Sequence, residues 1–158
     1  AVRKVSGMFF EELVDGATHR TRYHTVTAEE LHRFAADFDP QPMHLDPAVS
    51  AALPFGKVIA SGFHTIALAW RLWTEIGMGD HGRGGIALDQ ARWYRPVYAG
   101  TTLCALVTVI GPRITSGGKG LATMRFDVRD DQDDQLLTFS TTGLFARMAD
   151  EPSVPVEG

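Results

Sequence analysis

Apolar positions along this chain change period twice, which divides it into a short leading strand, a helical stretch and a long strand-rich half. Thr27-Ala28-Glu29-Glu30 predicts a helix start, with Thr27 as the cap and Glu30 completing a capping box. Leu31, Phe34 and Ala35 then supply one apolar side, and the pattern stops near Asp37. Asp46-Pro47 predicts a short helix reaching about Leu53, Asp46 being its N-cap and Pro47 its first residue. A long helix is expected over 61–76. Phe63, Ile66, Ala67, Trp70 and Trp73 keep helical spacing, while Leu68, Leu72 and Ile76 occupy another side. Apolar on nearly all sides, this helix is expected to be buried, with Trp70 and Trp73 in the core and only Arg71 and Glu75 solvated.

Beyond it the pattern turns to strands, over 86–96, 102–110, 121–129 and 135–148. Leu103, Ala105, Val107 and Val109 show the alternation most clearly. The turns between them, at 116–120 and 130–134, are rich in glycine or aspartate, so the sheet is expected to be antiparallel. Residues 18–26 predict one more strand before the helices. A central helix wrapped by such a sheet is an α+β arrangement. Residues 1–148 are expected to form a single domain and 149–158, with Pro152 and Pro155, a disordered tail.

Composition narrows the function classes. At 158 residues the chain is long enough to bury a core. The net charge of −4 is mild and the basic residues are scattered, which argues against nucleic-acid binding. No apolar run approaches the roughly 20 residues of a membrane span. Ala1-Val2-Arg3-Lys4 is not followed by a signal-peptide core. The lone Cys104, in an apolar strand pattern, reads as a buried thiol and fits a reducing cytoplasm.

The candidate chemistry lies in Asp39-Pro40-Gln41-Pro42-Met43-His44. Two prolines stiffen this segment, and it carries a carboxylate and an imidazole suited to moving a proton near neutral pH. On the residues alone, Asp39 also reads as a turn carboxylate and His44 as a partly buried histidine bound to a carbonyl. Ala60-Ser61-Gly62-Phe63-His64-Thr65 opens the long helix, whose positive end offers N–H donors to a developing anion. Gly62, without a Cβ, would let a carbonyl oxygen approach; Ser61 reads equally as a plain N-cap, and His64 as a packing residue. Gly77-Met78-Gly79-Asp80-His81-Gly82 matches a dinucleotide fingerprint in letters only, because it follows a helix instead of a strand. Asp46 is accounted for as a cap, so no metal is expected at His44. Lys57, Arg92 and Arg95 read as surface charge, with phosphate contact as the alternative.

Three segments in order resemble the MaoC-like acyl dehydratases, relatives of the (R)-specific enoyl-CoA hydratases. They are the Asp39–His44 segment, similar to the family's Asp-x-Asn-Pro-x-His; Gly56 to Thr65; and Arg92 to Leu103 with its Pro96-Val97. Gln41 stands where the hydratases usually have asparagine, and Phe38 where they usually have glycine and where it is expected to reshape the pocket. The resemblance implies a hotdog fold, a long central helix wrapped by the sheet, and a homodimer or higher homo-oligomer. It implies reversible hydration of trans-2-enoyl-CoA to (R)-3-hydroxyacyl-CoA, a carbon–oxygen lyase reaction of fatty acid metabolism. Asp39 and His44 are the expected catalytic pair, with Asp39 as chief base. Gln41, Ser61, Gly62 and Phe63 are expected to bind substrate. No cofactor is implied beyond the coenzyme A or acyl-carrier portion of the substrate. The alternatives are a non-catalytic acyl-thioester-binding protein and a hotdog thioesterase, which would need a helix carboxylate such as Glu75.

Overall fold

The structure is a computed structural model that describes residues 7–150. Ala1 to Lys4 and most of the expected tail lie outside the described residues. The expected helices are present. Helix α1 (Ala28–Phe38) opens on the capping box: Thr27 Oγ1 accepts from Glu30 N–H at 3.1 Å, and Glu30 Oε2 accepts from Thr27 N–H at 2.8 Å. A single helical turn, α2 (Pro42–Leu45), leads into α3 (Pro47–Ala51), which Asp46 caps through Ala48 N–H at 2.8 Å. The long helix α4 runs over Gly62–Glu75 with Ser61 as its cap.

Six strands form one antiparallel sheet in the order β1-β4-β5-β6-β3, with β2 also on β4. The leading strand is broken into β1 (Thr18–Arg20) and β2 (His24–Thr25), because Thr21 turns inward and hydrogen-bonds Ala105. Strands β3 (Gly82–Trp93), β4 (Thr102–Ile114), β5 (Gly120–Asp130) and β6 (Gln135–Phe145) follow. Strand β3 starts before the expected residue 86, and β6 stops at Phe145, followed by a 3₁₀ turn at Met148–Asp150. The inward faces of β4, β5 and β6 carry Leu103, Val107, Val109, Met124, Phe126, Leu137 and Phe139, all fully buried. They pack against Leu68, Ala69, Leu72 and Trp73 of α4, with Phe126 and Phe139 stacked at 4.3 Å. This is the expected α+β hotdog arrangement, a central helix wrapped by an antiparallel sheet.

Helix α4 is less enclosed than its composition predicts. Phe63, Ala67 and Trp70, at helical spacing, remain exposed, Phe63 to 66%. Trp73 is core, but Trp70 is only partly covered. The stripe runs beside the β3 end of the sheet, where Trp70 still reaches Phe126 at 6.1 Å and Phe63 lines a hollow with Trp93, and it is only partly covered.

Strand β3 forms one edge, and its pairing with β6 slips register at three places. The last slip falls between Asp89 and Arg92, where Gln90 has a left-handed backbone, φ 53°. One inserted residue reverses which way every later side chain points. Trp93 therefore faces α4, and Arg92 faces the outer, polar side of the sheet. The next segment pairs Ile59 with Tyr98 and Ala60 N–H with Val97 O, tying the entrance of α4 to the chain leaving β3.

Candidate active site

Helix α1 stops where Pro40 drives the residue before it out of the helical region: Asp39 has φ −150°, ψ 68°. Pro42, whose missing N–H costs nothing at a first helical position, then starts α2. The segment expected to be a loop is thus a turn of helix. That turn carries His44 back beneath Asp39, and its ring is 3% exposed. His44 Nδ1 lies 2.8 Å from Ile59 O, and His44 Nε2 lies 3.4 Å from Asp39 Oδ2.

The chemistry of these atoms follows from their partners. A carbonyl oxygen only accepts, so His44 Nδ1 must carry the proton. In the neutral ring Nε2 then presents a lone pair toward a carboxylate oxygen. Asp39 is held ionised: Ser61 Oγ donates to Oδ2 at 2.6 Å and Gln41 Nε2 donates to Oδ1 at 2.7 Å. The Ser61 hydroxyl first, and then the Gln41 amide, hold its carboxyl below the usual range, against a smaller opposing effect of burial. Two acceptors facing each other at 3.4 Å want a shared hydrogen-bond donor. A water giving one hydrogen to each would leave its oxygen lone pairs aimed at the space beyond.

That space is a cavity of about 420 Å³, lined mainly by apolar groups including Met43, Phe55, Ile59, Phe63, Trp93 and Val97. The start of α4 forms its wall beside the dyad. Ser61, almost fully buried, both donates to Asp39 and accepts from Phe63 N–H at 3.2 Å. Gly62 occupies the first helical position, where a backbone N–H has no acceptor in the helix. The absent Cβ serves a different purpose from the one its sequence predicts. A Cβ there would sit 2.7 Å from the Trp93 indole, so the glycine makes room for that ring. Trp93 Nε1 in turn donates to Gly62 O and Thr65 Oγ1, both at 3.2 Å.

The family model described as the MaoC like domain matches residues 10–128. The chain belongs to the MaoC-like family. It is 36% identical over 103 residues to the 3-hydroxyacyl-thioester dehydratase Z of Mycobacterium tuberculosis, covering 63% of this chain and 68% of that protein. The crystal structure of a MaoC-like dehydratase from Rhodospirillum rubrum superposes with a TM-score of 0.82 at 28% identity, over 92% of this chain and 99% of the other. The (R)-hydratase from A. caviae involved in PHA biosynthesis superposes with a TM-score of 0.65 at 26% identity, over 84% of this chain and 97% of the other.

Within this MaoC-like site Asp39, Gln41, His44, Gly62 and Phe63 line one cavity, with Ser61 behind them. The Gln41 amide is engaged with Asp39, so its first task is to orient the carboxylate. Phe38 leaves the cavity alone: it is 74% exposed, packs on Phe34 at 5.2 Å, and lines a separate hollow between α1 and α4. His64 lies in that hollow too, stacked on Phe34 at 4.8 Å, away from the dyad. Glu75 is bonded to Arg22 at 2.7 Å and to Arg71 at 3.0 Å at the far end of α4, which leaves the thioesterase alternative without a carboxylate in the cavity beyond Asp39. Gly77 to His81 form the turn between α4 and β3, and Gly82 begins the strand. Among the described residues no three His, Cys, Asp or Glu side chains gather as a metal site, and no helix is long and apolar enough to cross a membrane. Trp93 and Thr65 are site residues that sequence reasoning missed. Trp93 fell inside the third family segment, but which face it takes depends on the bulge before it.

Proposed function

We propose that this protein reversibly hydrates trans-2-enoyl-CoA thioesters to (R)-3-hydroxyacyl-CoA, acting in the cytoplasm in fatty acid metabolism. The observation that carries this reading is the pair of acceptors, Asp39 Oδ2 and His44 Nε2, held 3.4 Å apart at the wall of an apolar cavity beside a helix N-terminus. In the hydration direction, the bridging water oxygen bonds to the β-carbon as one of its protons passes to the dyad. The alkene electrons move onto the thioester carbonyl, giving an enolate. The Gly62 N–H and the positive end of α4 meet that charge. The dyad then returns a proton to the α-carbon, so it ends as it began. Because both Asp39 oxygens already accept hydrogen bonds, His44 Nε2 is the better proton acceptor, with Asp39 holding the water and balancing the imidazolium. This reverses the order of roles expected from sequence. The (R) outcome is supported by likeness to the A. caviae (R)-hydratase.

A homodimer completes the proposal. Among the described residues the outer edge of β3 is unpaired and exposes Ile86 and Leu88, and the Phe63, Ala67 and Trp70 stripe is only partly covered. A second copy placed edge to edge would cover the strand. Sedimentation showing only monomer at working concentration removes this part. The activity is tested by loss of enoyl-thioester absorbance across a chain-length panel, with chiral analysis of the product. Asp39→Asn and His44→Ala should each abolish turnover in folded protein; wild-type rates in both refute the mechanism.

A further inference from the structure

A second cavity, about 330 Å³, opens on the outer face of the sheet and is lined mainly by polar groups. Arg92 and Arg125 line it, together with the hydroxyl-bearing Tyr94, Thr138 and Ser140. The register explains the grouping. Arg92 stands opposite Thr138, and Ser140 stands opposite Arg125, so the two arginines share one face and lie diagonally across β6. Arg92 reaches this face only because of the Gln90–Ala91 bulge. Bulges of this kind re-aim side chains at functional sites.

Arg22, Arg71, Arg95, Arg129 and Arg147 all bind carboxylates. Arg95, expected as a possible phosphate contact, is taken by Asp134 at 2.6 Å, and Lys57 lies 4.4 Å above the Tyr98 ring. Arg92 and Arg125, like Arg33 and Arg113, make no hydrogen bond or ion pair among the described residues, and neither do the three hydroxyls. Two acids share the face. Asp127 is already engaged by Arg129 and Gln135, both at 2.9 Å, while Asp89, opposite Ser140, is free to oppose an anion. Two open guanidinium forks with hydroxyl donors suit a phosphate ester. Tyr94 lines both this cavity and the apolar one, so the two meet at the end of β3.

We propose that Arg92 and Arg125 bind a phosphate of the thioester carrier, whose pantetheine arm passes round the end of β3 at Tyr94 to deliver the acyl group to Asp39 and His44. This rests on the hydratase reading for its substrate, but not for its site. The phosphate has two sources: the 4′-phosphopantetheine common to coenzyme A and acyl carriers, or the adenosine 3′,5′-bisphosphate end of coenzyme A alone.

The test compares enoyl-CoA with the enoyl thioester of pantetheine, which has no phosphate. In Arg92→Ala and Arg125→Ala the KM for enoyl-CoA should rise about tenfold or more, with kcat unchanged. The pantetheine thioester should be turned over as by wild type. Lysine at either position should restore part of the loss, and Asp89→Asn should lower the KM. An equal effect on both substrates, or none on either, overturns the proposal. If no thioester is turned over, the hydratase reading fails, and calorimetric binding of free coenzyme A still decides the site: weakened in the variants it stands, unchanged it falls. Competition then names the source. Displacement by 4′-phosphopantetheine assigns the pantetheine phosphate, displacement by adenosine 3′,5′-bisphosphate assigns the nucleotide end, and binding of inorganic phosphate alone overturns the carrier assignment.

Discussion

Replacing Gly62 by alanine tests how the helix start is held. The new Cβ would lie 2.7 Å from Trp93 Cε2 and 2.9 Å from Cζ2 and Nε1. Carbon atoms rest about 3.5–4.0 Å apart, so the indole must retreat by about 1 Å. Overpacking of this kind costs about 1–3 kcal/mol. Each Trp93 Nε1 hydrogen bond lost adds about 1 kcal/mol. Removing a glycine from a helix returns at most about 1 kcal/mol. The net expectation is a loss of about 1–3 kcal/mol, read from urea unfolding. With Trp93→Ala already in place the same change should be neutral or stabilising by up to about 1 kcal/mol. The sign reversal in this double-mutant cycle isolates the contact. Because Gly62 sits beside the dyad, a shift near 1 Å should also lower hydration by about 100-fold. An equal effect of Gly62→Ala in both backgrounds would refute the packing argument.

Three further changes probe neighbouring parts. Ser61→Ala removes the helix cap and a donor to ionised Asp39, so it should cost about 1–2 kcal/mol and raise the Asp39 pKa, moving the acid limb of the pH–rate profile to higher pH. His64 is pushed below its ordinary pKa, chiefly by burial, so the fold favours its neutral form. Its contribution is whole above the unfolded value of about 6.5 and is lost as pH falls from there toward the folded pKa. His64→Phe, which keeps the stack on Phe34, should flatten that part of a stability–pH curve, and an unchanged slope removes His64 as its source. Gln90→Gly relieves a left-handed backbone at the β3 bulge and should stabilise by about 0.5–1 kcal/mol in thermal unfolding. Destabilisation there would mean that the Gln90 side chain matters more than its φ.

Local rules carried far in this chain. The capping box at Thr27, the Asp46 cap with Pro47, the Ser61 cap and the alternation in β4 all appear where nearest-neighbour chemistry puts them. The Asp39–His44 pairing was also legible, since two prolines leave a six-residue segment few ways to fold. Features that failed were ones where a residue's role depends on something distant in sequence. The burial of Trp70 was overestimated because helical periodicity cannot say whether a single chain covers every side. Phe38 was expected to reshape the catalytic cavity, yet as the last residue of α1 it points to the other side.

The sequence by itself therefore determined the elements, their caps and the acid–imidazole pair, because those depend on dihedral preferences and hydrogen bonds spanning a few residues. Tertiary structure alone decided that Ile59 O turns His44 Nε2 toward Asp39, that Trp93 fills the space beside Gly62, and that Arg92 joins Arg125 on the outer face. Each of these rests on a carbonyl offered from another segment or on one inserted residue in an edge strand. Such contacts have no local signature, since the partner that gives them meaning arrives only when the chain has folded.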